Sequence, residues 1–165
     1  MIKRLFSTLM AALLICVSPL VRAEVVTENA PEGIPSQDPF YTDEYTVESS
    51  SNSGGRPNYI TVETFSIQSN SVGKVTVTLA ISTNAMMQKL GFTTLRVQHW
   101  NGSTWEDAWT KTDQYLYDTN YFPYVKTISN MASNDYYRLS VDLYAKKGFF
   151  LVQTETIVSS YIRCQ

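Results

Sequence analysis

Between Lys74 and Thr83 the chain alternates with period two, Val75, Val77, Leu79 and Ile81 against Lys74, Thr76, Thr78 and Ser82. Successive side chains of a strand point to opposite faces, so this pattern predicts a half-buried β-strand. Tyr59 to Ile67 has the same character, with Ile60, Val62 and Phe65 among β-branched and polar neighbours, and Ser69 to Gly73 supplies a turn between the two runs. An antiparallel pair is expected. Near the C-terminus Tyr137, Leu139, Val141 and Leu143 line one face of a further strand, Lys146-Lys147-Gly148 turns it, and Phe149 to Val158 returns. The closing Tyr161 to Gln165 is expected to extend that pairing.

The strongest local signal is Thr94 to Trp109, TLRVQHWNGSTWEDAW. Leu95 and Val97 alternate toward an Asn101-Gly102 turn, whose residues tolerate the positive φ angles that tight hairpins require. With residues 101–104 as the loop, Trp100 and Trp105 become a cross-strand pair on one face, and Trp109 is expected further along that face. From Thr110 to Asn120 the pattern loosens, which predicts a loop carrying Tyr115 and Tyr117. A strand then runs from Tyr121 to Ile128, and Pro123 places it at a sheet edge, because proline donates no ladder hydrogen bond. Asn84 to Gly91 is the one stretch with helical spacing, Met87 and Leu90 sharing a face and Gly91 able to stop it.

About seven short strands with regular turn signals predict an all-β, antiparallel two-sheet sandwich; a small closed β-barrel is the alternative. A parallel sheet would need crossover helices that the pattern lacks. In Met131-Ala-Ser-Asn-Asp-Tyr-Tyr137-Arg-Leu139-Ser-Val141, an apolar residue stands six before a tyrosine that opens an alternating strand. This resembles the tyrosine corner of fibronectin type III and immunoglobulin-like sandwiches. The resemblance implies that Tyr137 is buried, with its hydroxyl bonded to backbone near Met131. No buried Trp and Cys set matches a true immunoglobulin domain. The order ITVET, GKVTVTL, KLGFTTLRVQHWNGSTW and YYRLSVDLYAKKG also resembles a family of small secreted proteins of unknown function from Gram-positive bacteria. That likeness implies export and no known chemistry.

The first twenty-three residues read as a secretory signal: basic Lys3 and Arg4, an apolar run from Leu5 to Val17, and Val21-Arg22-Ala23 as the cleavage site. An apolar run of about thirteen residues is short of the roughly twenty that span a membrane. A secreted, extracellular product without a further membrane span is expected. Residues 24–57 hold seven acids against Arg56 and are punctuated by Pro31, Pro35, Pro39 and Pro57, which predicts a flexible acidic leader before a domain at 58–165. Within the leader, Phe40, Tyr41 and Tyr45 are either docked or free.

The chain has two cysteines, Cys16 and Cys164, so the processed product has no partner for an internal disulfide. Cys164 is read as an unpaired cysteine on a terminal strand, with pairing between two chains as the alternative. Lys and Arg are scattered singly, which argues against nucleic acid. One histidine, His99, shares a face with Leu95 and Val97 and reads as structural. Zinc needs more ligands than His99 and Cys164 supply. Asp113, Asp118 and Asn120 carry oxygens for calcium but in a spacing of no known loop, and solvated acids are the better reading. Glu106 and Asp107 are adjacent, hence on opposite faces, and form no hydrolytic carboxylate pair. No cofactor and no catalytic activity are expected.

Eleven tyrosines and three tryptophans remain. They are core packing or, where exposed, a platform for sugar rings or a protein hot spot. The expected function is a secreted, non-catalytic binding or surface-interaction domain, with Trp100, Trp105, Trp109, Tyr115 and Tyr117 as candidate contacts to a cell-surface glycan or protein. A self-assembling structural component of the cell exterior is the alternative. Asn101, Gly102 and Tyr137 are assigned structural roles.

Overall fold

The computed structural model describes residues 31–52 and 58–165. The signal at 1–23 and residues 24–30 and 53–57 of the expected leader lie outside them. Among the described residues ten strands run in chain order: β1 Tyr41–Thr42, β2 Tyr45–Asn52, β3 Ile60–Ser71, β4 Lys74–Met87, β5 Lys89–Trp100, β6 Trp105–Leu116, β7 Thr119–Ser129, β8 Tyr136–Lys147, β9 Leu151–Ser159 and β10 Ile162–Arg163. They form two separate antiparallel sheets, β1-β3-β4-β7 and β2-β9-β8-β5-β6, with β10 added against β8. The arrangement is a sandwich rather than a closed barrel.

The path is a Greek key. After the β3–β4 hairpin the chain crosses to the second sheet as the β5–β6 hairpin. It returns as β7 beside β4, crosses again as β8 beside β5, continues as β9 and closes with β10 against β8. Those interlocked pairs are the connectivity of immunoglobulin-like and fibronectin type III sandwiches. The period-two pattern places its apolar sets where the sheets face each other: Val75, Val77, Leu79 and Ile81 from β4 meet Leu95 and Val97 from β5 and Leu139, Val141 and Leu143 from β8, each at most 1% exposed. Burying a side chain of this size contributes about 1.5–3 kcal/mol. Phe92 turns edge-on to Phe122 and Tyr124, joining the sheets across the centre.

The helical turn expected at Asn84 to Gly91 is absent. Strand β4 continues to Met87, which is fully buried, and β5 begins two residues later at Lys89. Fewer than three turns of helix are marginal in water, whereas the strand buries Met87 and Leu90 and pairs the backbone. Gly91 is therefore no helix stop. It lies inside β5 at φ +156°, where a Cβ would run into the Gln114 carbonyl oxygen.

The leader is a second correction. Within it, β1 pairs with β3 and β2 with β9, so residues 31–52 add a strand to each sheet and cross between them at Asp43-Glu44. Tyr45 docks edge-on against Phe65, with ring centroids 5.5 Å apart. A low apolar content does not prevent ordering when exposed strand edges offer ready hydrogen-bond partners.

Part of the interior is polar. Gln153 and Glu155 point between the sheets, 0% and 6% exposed. Gln153 Oε1 accepts the Tyr59 amide at 2.8 Å, and Asn58 Nδ2 donates to Glu155 Oε2 at 3.2 Å. These bonds satisfy the buried groups and hold the start of β3 in place.

Candidate functional site

The hairpin forms with Asn101–Thr104 as its loop, but by different chemistry from that expected. Gly102 takes a positive φ of 97° and Asn101 does not. Asn101 instead acts through its side chain, its Oδ1 accepting the amides of Ser103 and Thr104 at 2.9 Å each, and its own amide bonds Thr104 O at 3.1 Å.

Trp100 pairs with Trp105 across the strands, ring centroids 5.3 Å apart. Trp109 does not share their face. Val97 pairs with Trp109 while Gln98 pairs with Asp107, so Ala108 is an extra residue in β6. Such a bulge reverses the side-chain alternation beyond it. Trp109 is thereby turned inward, packed on the core, whereas Trp100 and Trp105 stay on the outer face with Arg96 and Gln98. Trp100 is 8% exposed and Trp105 is half-buried. The three rings form no flat platform.

Strand β6 extends through the expected loop to Leu116. Tyr115 is half-buried on it, edge-on to Tyr144, with Lys89 Nζ 3.6 Å from its ring centre. Burial, then the hydrogen bond it donates to Asp113 Oδ1 at 3.1 Å, pushes the Tyr115 hydroxyl up to about 12. Tyr117 stands exposed in the β6–β7 turn beside Asp118, at the opposite end of the molecule from the hairpin loop. Asp113 and Asp118 both adopt positive φ, and no group of three or more His, Cys, Asp or Glu that could hold a metal occurs among the described residues. Strand β7, with Pro123 opposite Ala80, is the sheet edge that proline requires.

Beside the tryptophan pair runs a polar ladder. Thr156 donates to Asp142 Oδ1, Asp142 Oδ2 takes Arg96 at 2.9 Å, Arg96 reaches Asp107 at 3.5 Å, Gln98 donates to Asp107, and Arg138 donates to Gln98 Oε1 at 2.8 Å. Arg138 then covers the Trp105 ring, its guanidinium carbon 4.6 Å from the centre. Burial pushes the Arg138 guanidinium down, against the opposing charge of Glu48. The Trp105 indole donates to the Glu32 carbonyl at 2.9 Å, and its ring meets Tyr161, which stacks edge-on with Tyr136. This face is braced by the N-terminal segment rather than free.

A groove of about 370 Å³ at the hairpin end is lined by His99, Trp100, Asn101, Gly102, Asn134, Asp135 and Tyr136. His99 Nε2 lies 3.0 Å from Asp135 Oδ2. The C-terminal segment holds the far wall: the Asn134 amide donates to the Cys164 carbonyl and the Cys164 amide to the Asp135 carbonyl, both at 2.8 Å. Asn134 and Asp135 had no signal in the sequence, because only the β5–β8 pairing brings their turn beside the hairpin. Cys164 is fully buried, with Ser69 Oγ donating to its Sγ at 3.7 Å. Pairing between two chains through this thiol would require unfolding the terminal strand, so the thiol gives assembly no support.

No protein-family model, curated protein or solved structure matches the chain. Among the described residues no helix is long and apolar enough to cross a membrane.

Proposed function

We propose that the chain is a secreted, non-catalytic binding domain whose site is the hairpin-end groove, and that its ligand is a glycan. The observation carrying this reading is the groove's composition. Its lining combines residues that carry hydrogen-bonding groups, Asn101, Asn134, Asp135 and His99, with the aromatic Trp100 and Tyr136. Sugars present hydroxyls in a ring around apolar C–H faces, and they match a wall that alternates hydrogen-bonding groups with aromatic carbon. The signal-like N-terminus supports an extracellular ligand. Clamping of Asn134 and Asp135 by the C-terminal backbone supports a preformed site, which lowers the ordering cost of binding.

Tryptophan fluorescence titrated with a broad panel of cell-surface glycans tests the reading, since Trp100 lines the groove. A saturable change that Asn134→Ala and Asp135→Ala each weaken is expected. A flat response across the panel overturns the glycan assignment.

A further inference from the structure

At the end of the sandwich opposite the groove, the β8–β9 turn presents two adjacent phenylalanines to solvent. Phe149 is 93% and Phe150 91% exposed. Register places the neighbouring turns at this same end: Lys89 pairs with Lys146, Leu90 with Leu116, and Met87 with Thr119. They contribute Met86, Leu116 and Tyr117, all exposed. An apolar cluster of this kind on a water-soluble surface marks an interaction site.

Charge chooses the partner. The chain as a whole is net −2, yet the strand ends beneath the phenylalanines carry Lys89, Lys146 and Lys147, with Asp118 as the acid of the adjacent turn. Shape agrees. The two rings sit at the apex of a hairpin, more than nine-tenths exposed, and a projecting apolar tip can enter a deformable interface without a preformed pocket. Aromatic rings settle at the boundary between headgroups and acyl chains, and lysines behind them reach the phosphates.

The geometry points to a membrane-docking tip: Phe149 and Phe150 enter the interface of a bilayer containing anionic phospholipid, while Lys146 and Lys147 bind its headgroups. The docking orients the molecule tip-first, leaving the hairpin groove facing away from the bilayer. It stands independently of what that groove binds. A single loop with two rings gives weak, reversible attachment.

The test is cosedimentation of the full chain with phosphatidylcholine vesicles that contain or lack phosphatidylserine. Wild type is compared with Phe149→Ser/Phe150→Ser and with Lys146→Gln/Lys147→Gln. The apolar stretch near the N-terminus is common to all three chains, so the differences between them report the tip. Because both rings are exposed, the serine variant should keep the wild-type melting temperature. Its partitioning onto phosphatidylserine vesicles should fall by about tenfold or more. The glutamine variant should lose about tenfold on those vesicles and behave as wild type on pure phosphatidylcholine. Added salt should weaken the wild type toward the glutamine variant. Equal binding by wild type and the serine variant overturns the proposal. Lipid-free dimerisation of wild type that the serine variant loses also overturns it, assigning the tip to a second copy of the chain.

Discussion

Tyr137 accepts a hydrogen bond from the Ala132 amide, 2.9 Å from its hydroxyl oxygen, while its ring lies 2% exposed in the core. The bond ties the β7–β8 connection to the strand it leads into, and burial pushes the hydroxyl up even though the bond itself pulls it down. Tyr137→Phe keeps the packing and removes the acceptor. It should destabilise by about 0.5–1.5 kcal/mol. Tyr136 faces the other side, stacked on Tyr161, so Tyr136→Phe should cost less. Chemical denaturation of both variants checks the order, and a larger loss for Tyr136→Phe would contradict the inward face assigned to β8.

Gly91 and Gly102 both take positive φ, but their surroundings differ. A Cβ on Gly91 meets the Gln114 backbone, whereas one on Gly102 meets nothing within 4 Å. Gly102→Ala should carry only the backbone strain, about 1–3 kcal/mol. Gly91→Ala must also push β5 and β6 apart, adding about 1–3 kcal/mol. Thermal melts that rank Gly102→Ala as the worse variant would show that β5 and β6 do not approach each other this closely.

Arg138 shields Trp105, its guanidinium carbon 4.6 Å from the ring centre. Arg138→Ala should destabilise by about 1 kcal/mol and raise acrylamide quenching of tryptophan fluorescence. Arg138→Met should restore much of the shielding without the charge. Quenching that is identical in all three chains would mean that the N-terminal segment alone covers the indole.

Alkaline pH should unfold the domain through its tyrosines. Tyr115 is pushed from 10.0 up to about 12, and burial raises Tyr124, Tyr137 and Tyr161 as well. Between the unfolded and folded values the folded chain holds protons that the unfolded chain has released. The associated stability is thus complete below about pH 10 and is lost as pH rises through about 12. Tyrosinate absorbance followed with denaturation at each pH should show some tyrosines ionising only as the fold is lost, and Tyr115→Phe should flatten the loss. Independent titration of every tyrosine near its ordinary value, with the fold intact, would refute the burial.

The period-two stretches at Lys74 to Thr83 and Tyr137 to Leu143 were legible because a strand's facing depends only on residue parity once one face is buried. The Asn101–Thr104 loop and the edge position of Pro123 were legible for a similar reason: Gly, Asn and Pro restrict the backbone locally. Sequence alone therefore determined the regularly alternating strands, the position of the hairpin loop and the sandwich class, but not the strands β1 and β2 of the leader or the run of β6 to Leu116. Further features were decided only in the folded molecule. The bulge at Ala108 separates Trp109 from Trp105, and it arises from how β6 pairs with β5 rather than from any signal in either strand. The expected helix at Asn84 to Gly91 gives way to strand because pairing and burial of Met87 and Leu90 outweigh a weak local preference. The groove of His99 and Asp135 and the cluster of Met86, Leu116, Tyr117 and Phe149 join residues far apart in the chain, and such juxtapositions are set by sheet register, which no local pattern encodes.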